Sequence, residues 1–92
     1  MRYAWDPEKD AQNRRKHGLS LAEGEFALED PIRVSWIDDR FDYGEERIVT
    51  LGRSAKWILY FVSTEWDENW TRLISVRKAE DDEIADYDLR RA

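Results

Sequence analysis

Residues Lys56 to Thr64, "KWILYFVST", decide the fold. The stretch is rich in aromatic and β-branched residues and is apolar at odd and even positions alike. A strand with two apolar faces is covered on both, so these residues read as the central strand of a sheet. Upstream, Arg47 to Leu51 read as a neighbouring strand, with "GRSA" (Gly52–Ala55) as the tight turn between them. Earlier still, Ile32, Val34 and Trp36 alternate with Arg33, Ser35 and Ile37, the two-residue period of a strand, and "DDRFDYGE" (Asp38–Glu45) reads as a loop. Downstream, "EWDEN" (Glu65–Asn69) turns the chain into a last strand, Trp70 to Arg77. Together these predict an antiparallel meander of three or four strands.

The ends of the chain read differently. "RYAW" (Arg2–Trp5) is expected as a short first strand. Asp6-Pro7 then starts a helix, with Asp6 as N-cap and Pro7 at the first helical position, and Gly18 supplies the left-handed residue that ends it. Between Pro7 and His17 only Ala11 is apolar, so core packing does not account for this helix. Ser20 and Glu23 have the spacing of a capping box for a second helix, with Ala22, Phe26 and Ala27 as its apolar stripe and Asp30-Pro31 as its stop. Asp81 to Arg91 read as a closing helix, acidic at its start and basic at its end as the macrodipole favours. The expected class is α+β: two N-terminal helices, an antiparallel sheet of about four strands and a C-terminal helix.

A chain of 92 residues implies one domain spanning 1–92. With no cysteine there is no disulfide scaffold, thiol nucleophile or cysteine-ligated metal, and a single histidine argues against a zinc or iron site. No cofactor is expected. No signal-peptide core opens the chain, and its longest apolar run, Trp57 to Val62, is far too short to cross a bilayer, so a cytoplasmic protein is expected. Net charge is −6, yet residues 1–20 carry +2 and the two later thirds −4 each. Nucleic acid would therefore meet the basic pieces only, while the acidic remainder suits a basic protein partner. Trp5, Trp36 and Trp57 are expected in the core; Trp66 and Trp70 flank a turn. Nucleotide-binding, zinc-protease and nucleophile-elbow motifs are absent.

Three groups of residues have the makings of a site. Lys9, Asn13, Lys16 and His17 fall on one face of the first helix, where lysines suit phosphates and the imidazole suits proton transfer. Glu45 and Arg47 lie where a loop enters a strand and pair a possible base with a phosphate clamp. Arg72, Arg77 and Lys78 lie on the last strand, and a guanidinium fork matches the oxygens of a scissile phosphate. Strict alternation puts Arg72 and Arg77 on opposite faces, so both line one site only if a bulge intervenes or Arg77 lies past the strand end. Otherwise each group reads as a solvated charged surface.

These pieces in this order resemble the BrnT-like toxin family. "WDPEKDAQNRRKHGLSL" is similar to the family's opening W-D-x-x-K-x-x-x-N-x-x-K-H-G-(hydrophobic)-S. "DP" at Asp30-Pro31, "GEER" at Gly44–Arg47, Gly52, "RLISVRKAE" at Arg72–Glu80 and Tyr87 follow in the family's order. The resemblance implies a RelE-like fold and a metal-independent endoribonuclease, the toxin of a type II toxin–antitoxin system. It also implies a BrnA-like DNA-binding antitoxin that neutralises the toxin, reaches operator DNA on its behalf and joins it in a heterotetramer or larger assembly. On this reading His17, Glu45, Arg47 and Arg77 are the catalytic candidates, and Lys9, Asn13, Lys16, Arg72 and Lys78 the RNA-binding ones. One departure stands out: where the family continues with a basic stretch, this chain has "EDDEIADYD" (Glu80–Asp88), which is expected to lower RNA affinity. That tail favours an alternative reading, a toxin-like module that binds its partner without cleaving RNA. The retained Lys16, His17 and Arg77 oppose it.

Overall fold

The computed structural model describes residues 2–40, 44–55, 57–67 and 69–90. In chain order they form β1 (Arg2–Ala4), α1 (Pro7–His17), α2 (Glu23–Glu29), β2 (Val34–Ile37), β3 (Ile48–Ser54), β4 (Trp57–Asp67), β5 (Trp70–Lys78) and α3 (Asp81–Arg90). The strands make one sheet in the order β1-β5-β4-β3-β2, so the apolar stretch beginning at Trp57 is its centre. Five strands are present rather than about four, because β1 joins the far edge, parallel to β5. The loop residues Phe41–Tyr43, the expected strand start at Lys56 and the helix end at Arg91 lie outside the described residues.

α1 starts and stops as its sequence predicts. The Asp6 carboxylate accepts the Glu8 amide at 2.9 Å, and Gly18 takes φ +73° while its amide donates to the Arg14 carbonyl. The capping box expected for α2 is not formed. Ser20 instead donates its hydroxyl to Asp10 at 3.0 Å, the same carboxylate oxygen accepts the Leu21 amide at 2.7 Å, and Glu23 accepts the Ser54 hydroxyl at 2.8 Å. Asp10, an α1 residue, therefore organises the link between the two helices. The amide of Leu21, with burial opposing it and Ser20 and Arg14 assisting, holds the Asp10 carboxyl below its usual range.

Both N-terminal helices lie on one face of the sheet. Leu21 and Ala27 pack there on Leu59, Phe61, Leu73 and Val76, with Trp5 and Leu28 at the margin. α2 approaches closely because two glycines permit it. A Cβ at Gly52 would fall on the backbone carbonyl of Ala27, and one at Gly24 would sit 3.2 Å from the Phe61 ring. Gly52 is thus a β3 residue left bare for a helix and not the start of a turn, which lies further on, at Ala55 (φ +50°). Two apolar expectations fail, the first because α2 rests its Gly24–Ala27 side on the sheet. That turns Phe26 outward at 59% exposure, while Trp57, at the strand's outer end, is 39% exposed.

The opposite face carries Val49 and Leu51 of β3 and Tyr60 and Val62 of β4, with α3 against β3. Tyr87 of α3 is fully buried, and its hydroxyl donates to Asp30 at 2.7 Å. Asp30 also accepts the amides of Ile32 and Arg53. Burial works against the ionised Asp30, but these three donors outweigh it and keep the carboxyl below its usual range.

One irregularity in β5 decides what the sheet presents. Val62 pairs with Ser75 but Ser63 pairs with Leu73, which leaves Ile74 as an extra residue. This bulge reverses the alternation of β5, so that Leu73 and Val76 both enter the core. Beyond Ala4 the outer edge of β5 has no strand partner among the described residues. The Asn13 carboxamide fills that role: its Oδ1 accepts the Val76 amide at 3.1 Å, and its Nδ2 donates to the Val76 and Leu19 carbonyls at 2.9 and 2.8 Å. Asn13 is buried and behaves as a fragment of a sixth strand. Replacing Asn13 with Ala strands two buried backbone groups of Val76. Such groups cost about 1–3 kcal/mol each, so chemical denaturation should show a loss of at least about 2 kcal/mol.

Candidate nucleic-acid site

The Ile74 bulge overturns the expectation that Arg72 and Arg77 lie on opposite faces. Arg72 pairs across from Thr64 and Arg77 across from Tyr60, so both project on the α3 face, with Ser75 between them opposite Val62. Glu45 meets this strip from the loop before β3. It accepts two bonds from Arg72 Nη2, at 2.8 and 3.0 Å, and lies 3.5 Å from Arg47 Nε. Arg72, Glu45 and Arg47 form one linked group.

Arg77 is held by two side chains. Its Nη1 and Nη2 donate to the two oxygens of Glu83 at 2.7 and 2.8 Å, and its guanidinium lies 4.0 Å from the centre of the Tyr60 ring. Tyr60 is in turn packed edge-on by Trp36, and its hydroxyl accepts Arg40 Nη2 at 3.3 Å. Burial opposes the Glu83 charge, but the Arg77 fork, the Glu80 amide and the nearby Arg40 outweigh it and keep the carboxyl below its usual range. Neither Tyr60 nor Arg40 was a candidate on sequence grounds. Tyr60 sits inside the apolar run that reads as core, and Arg40 in a loop whose packing only the fold reveals.

The helix-one candidates gather separately, around a shallow groove of about 180 Å³ between α1 and β5. Lys9, Lys16 and His17 line it together with Gln12, Ile74 and Ser75. Asn13 borders it too, but as an RNA ligand Asn13 is corrected: its amide is spent on the β5 edge. Burial first, then the Lys16 ammonium, then the Arg77 guanidinium, pull the His17 imidazole below its ordinary 6.5. At neutral pH it is an uncharged base. The influence of Arg77 on His17, and the position of Ser75 in both settings, join the groove to the arginine strip. Lys78 stands apart. It falls on the other side of β5, with its ammonium 3.6 Å from the centre of the Trp57 ring.

An otherwise acidic chain thus sets Lys9, Lys16 and His17 of α1 next to a row of arginines, Arg77, Arg72 and Arg47, whose carboxylate partners are Glu83 and Glu45. Among the described residues no three His, Cys, Asp or Glu side chains form a group able to hold a metal ion. No described helix is long and apolar enough to cross a membrane.

Residues 5–83 match the family described as "Ribonuclease toxin, BrnT, of type II toxin-antitoxin system". The fold is similar to the crystal structure of the Brucella abortus ribonuclease toxin BrnT, with a TM-score of 0.65 and 24% sequence identity over 87% of this chain and 97% of that one. At that identity the likeness speaks for the fold alone. No curated protein sequence matches this chain significantly.

Proposed function

Because the chain belongs to the BrnT family of ribonuclease toxins of type II toxin–antitoxin systems, we propose that it is an endoribonuclease that cleaves cellular RNA and arrests translation and growth. The family implies a protein antitoxin as partner and RNA as target. The finer reading is a cytoplasmic, RelE-like, metal-independent nuclease. It is neutralised by a BrnA-like DNA-binding antitoxin, in a heterotetramer or larger assembly that touches operator DNA through the antitoxin.

One observation carries the chemical part. The bulge sets Arg72, Ser75 and Arg77 in a row on one face, beside Glu45 and Arg47 and next to the groove that holds His17. RNA laid along this row meets cations on both sides of a neutral imidazole. His17 takes the proton of a ribose 2′-hydroxyl, and the oxygen attacks the adjacent phosphorus. Arg77, with Arg47 and Arg72, stabilises the charge that gathers on the phosphorane oxygens. The 5′-oxygen leaves with a proton taken from water, while the Glu45 carboxylate, paired with Arg72 and Arg47, holds those two arginines in the row, and a 2′,3′-cyclic phosphate remains. No step draws on a metal ion.

The alternative, a module that binds without cleaving, also has an observation behind it: Glu45 and Glu83 already occupy Arg72 and Arg77. The exposed Arg72–Glu45 pair is of a kind worth about 0–1 kcal/mol, which a phosphate ester can replace. The nuclease reading is therefore preferred. Purified protein should cut RNA in excess EDTA, leave 2′,3′-cyclic phosphate ends and spare DNA, which lacks the attacking hydroxyl. Cleavage that needs added magnesium, or that treats DNA equally, would sink this mechanism.

A further inference from the structure

On the helix-bearing face, the part of the sheet beyond the end of α2 holds a cavity of about 310 Å³. The sheet backs it onto the arginine row: Thr71, beside Arg72, and Ser63 and Glu65, on either side of Thr64, all point into it. Its floor is a set of hydroxyls from four strands. Ser35 and Thr50 share a hydrogen bond of 2.8 Å, and Ser63 and Thr71 continue the row. Ser63 is 2% exposed, so its hydroxyl lies at the bottom of the cavity. The walls are apolar, made by the Tyr3 ring, Leu28 and Ile48.

The mouth is negative. Glu65 stands there exposed, without an ion pair or side-chain hydrogen bond among the described residues, and Arg33 is the cation beside it. Burial, then Glu29 and Glu25, push the Tyr3 phenol above its ordinary value against the opposing pull of Arg33, so two further carboxylates act on this wall of the cavity. A floor of hydroxyl acceptors, apolar walls and a carboxylate rim are what a long side chain with a cationic head requires. Its stem packs on Leu28, Ile48 and the Tyr3 ring, and its head reaches oxygen. The opening lies beside the free edge strand β2, where Ile37 is 57% exposed and directly paired with Ile48. That apolar lip suits the polypeptide around an inserted side chain more than a free small molecule.

We propose that this cavity receives a lysine or arginine side chain of the protein partner that the type II family implies, on the face of the sheet opposite the RNA row. The net charge of −6 draws such a partner in, and Glu65 at the mouth with the hydroxyl row beneath it gives its cation a seat. The proposal rests on the family for the existence of a partner. It does not rest on the ribonuclease mechanism, because the surface used is the other one.

The test reads binding directly by amide NMR of the ¹⁵N-labelled protein at low salt. The probes are the capped tripeptides Ac-Gly-Arg-Gly-NH₂ and Ac-Gly-Lys-Gly-NH₂, with Ac-Gly-Glu-Gly-NH₂ as control. A basic probe should produce saturable shifts at Ser35, Thr50, Ser63 and Thr71, with a dissociation constant of about 1 mM, as befits a ligand making few contacts. Glu65→Gln should weaken that binding roughly tenfold and Arg33→Gln should strengthen it. Both residues are exposed, so both variants should fold. Shifts that do not saturate, that spread over Asp81 and Asp82 instead, or that ignore Glu65→Gln would overturn the proposal. An equal response to the acidic probe would do the same. No RNA enters the measurement, so a protein that fails to cleave can still pass it.

Discussion

Arg77→Ala should lower the single-turnover rate at saturating RNA by about 10²–10³-fold, the usual loss when one donor to a developing anion is removed. The loss should fall on kcat more than on KM, because the charge that Arg77 meets is greatest in the phosphorane. Arg77→Lys should not restore the rate, since an ammonium cannot reproduce the fork that now grips both oxygens of Glu83. Arg72→Ala should behave in the same way, because the Ile74 bulge places it on the same face. Without the bulge Arg72 would be a structural residue whose loss reduced only stability, and a kinetically silent Arg72→Ala would return it to that role. Glu83→Gln serves as the counterpart. It frees Arg77 for phosphate, so RNA affinity should rise while the hold on α3 weakens.

His17→Ala should cost about 10²–10⁴-fold in cleavage, the range for a positioned general base, with the circular dichroism spectrum unchanged. The pH dependence gives the sign. Burial, Lys16 and Arg77 lower the imidazole pKa below 6.5, so the neutral form needed to accept a proton prevails at pH 7 and disappears only in more acid solution. In the parent protein kcat/KM should be flat near neutrality and fall with a slope of one as pH drops through that lowered value. In His17→Ala the residual rate should lack this limb. An acid limb that survives the substitution would assign the base elsewhere, with Glu45 next in line.

The centre of the fold is legible in "KWILYFVST" because only a strand covered on both faces is apolar at every position. α1 is legible because Asp6, Pro7 and Gly18 are local signals that need no tertiary context. The bulge is not, since "TRLISVRKAE" has no glycine or proline to mark Ile74, and the strand edge beside it is bonded from outside, by Asn13 on Val76. β1 is legible as a strand, but three residues carry no information about a parallel partner 68 positions away. The capping box failed because Ser20 and Glu23 found tertiary partners in Asp10 and Ser54. The family motif itself divides by what its residues touch. Asn13, Asp30, Gly52 and Tyr87 serve the fold, as a strand substitute, a hydrogen-bonded corner and a close helix contact. Lys9, Lys16 and His17 line the groove, and Glu45, Arg47, Arg72 and Arg77 make the ion-paired row beside it. Sequence spacing shows both sets equally; only burial separates them.

Attack by a ribose 2′-hydroxyl is the centre of this account, and one substrate tests it. An RNA with a single 2′-deoxy substitution on the 5′ side of a mapped cleavage site is incubated with the protein in EDTA, next to the all-ribo strand. The all-ribo strand should be cut there to a 2′,3′-cyclic phosphate, and the substituted strand should stay intact at that position while other sites are cut as before. Continued cleavage at the deoxy position would mean that another nucleophile attacks the phosphorus, and would contradict the mechanism built on His17 and the arginine row.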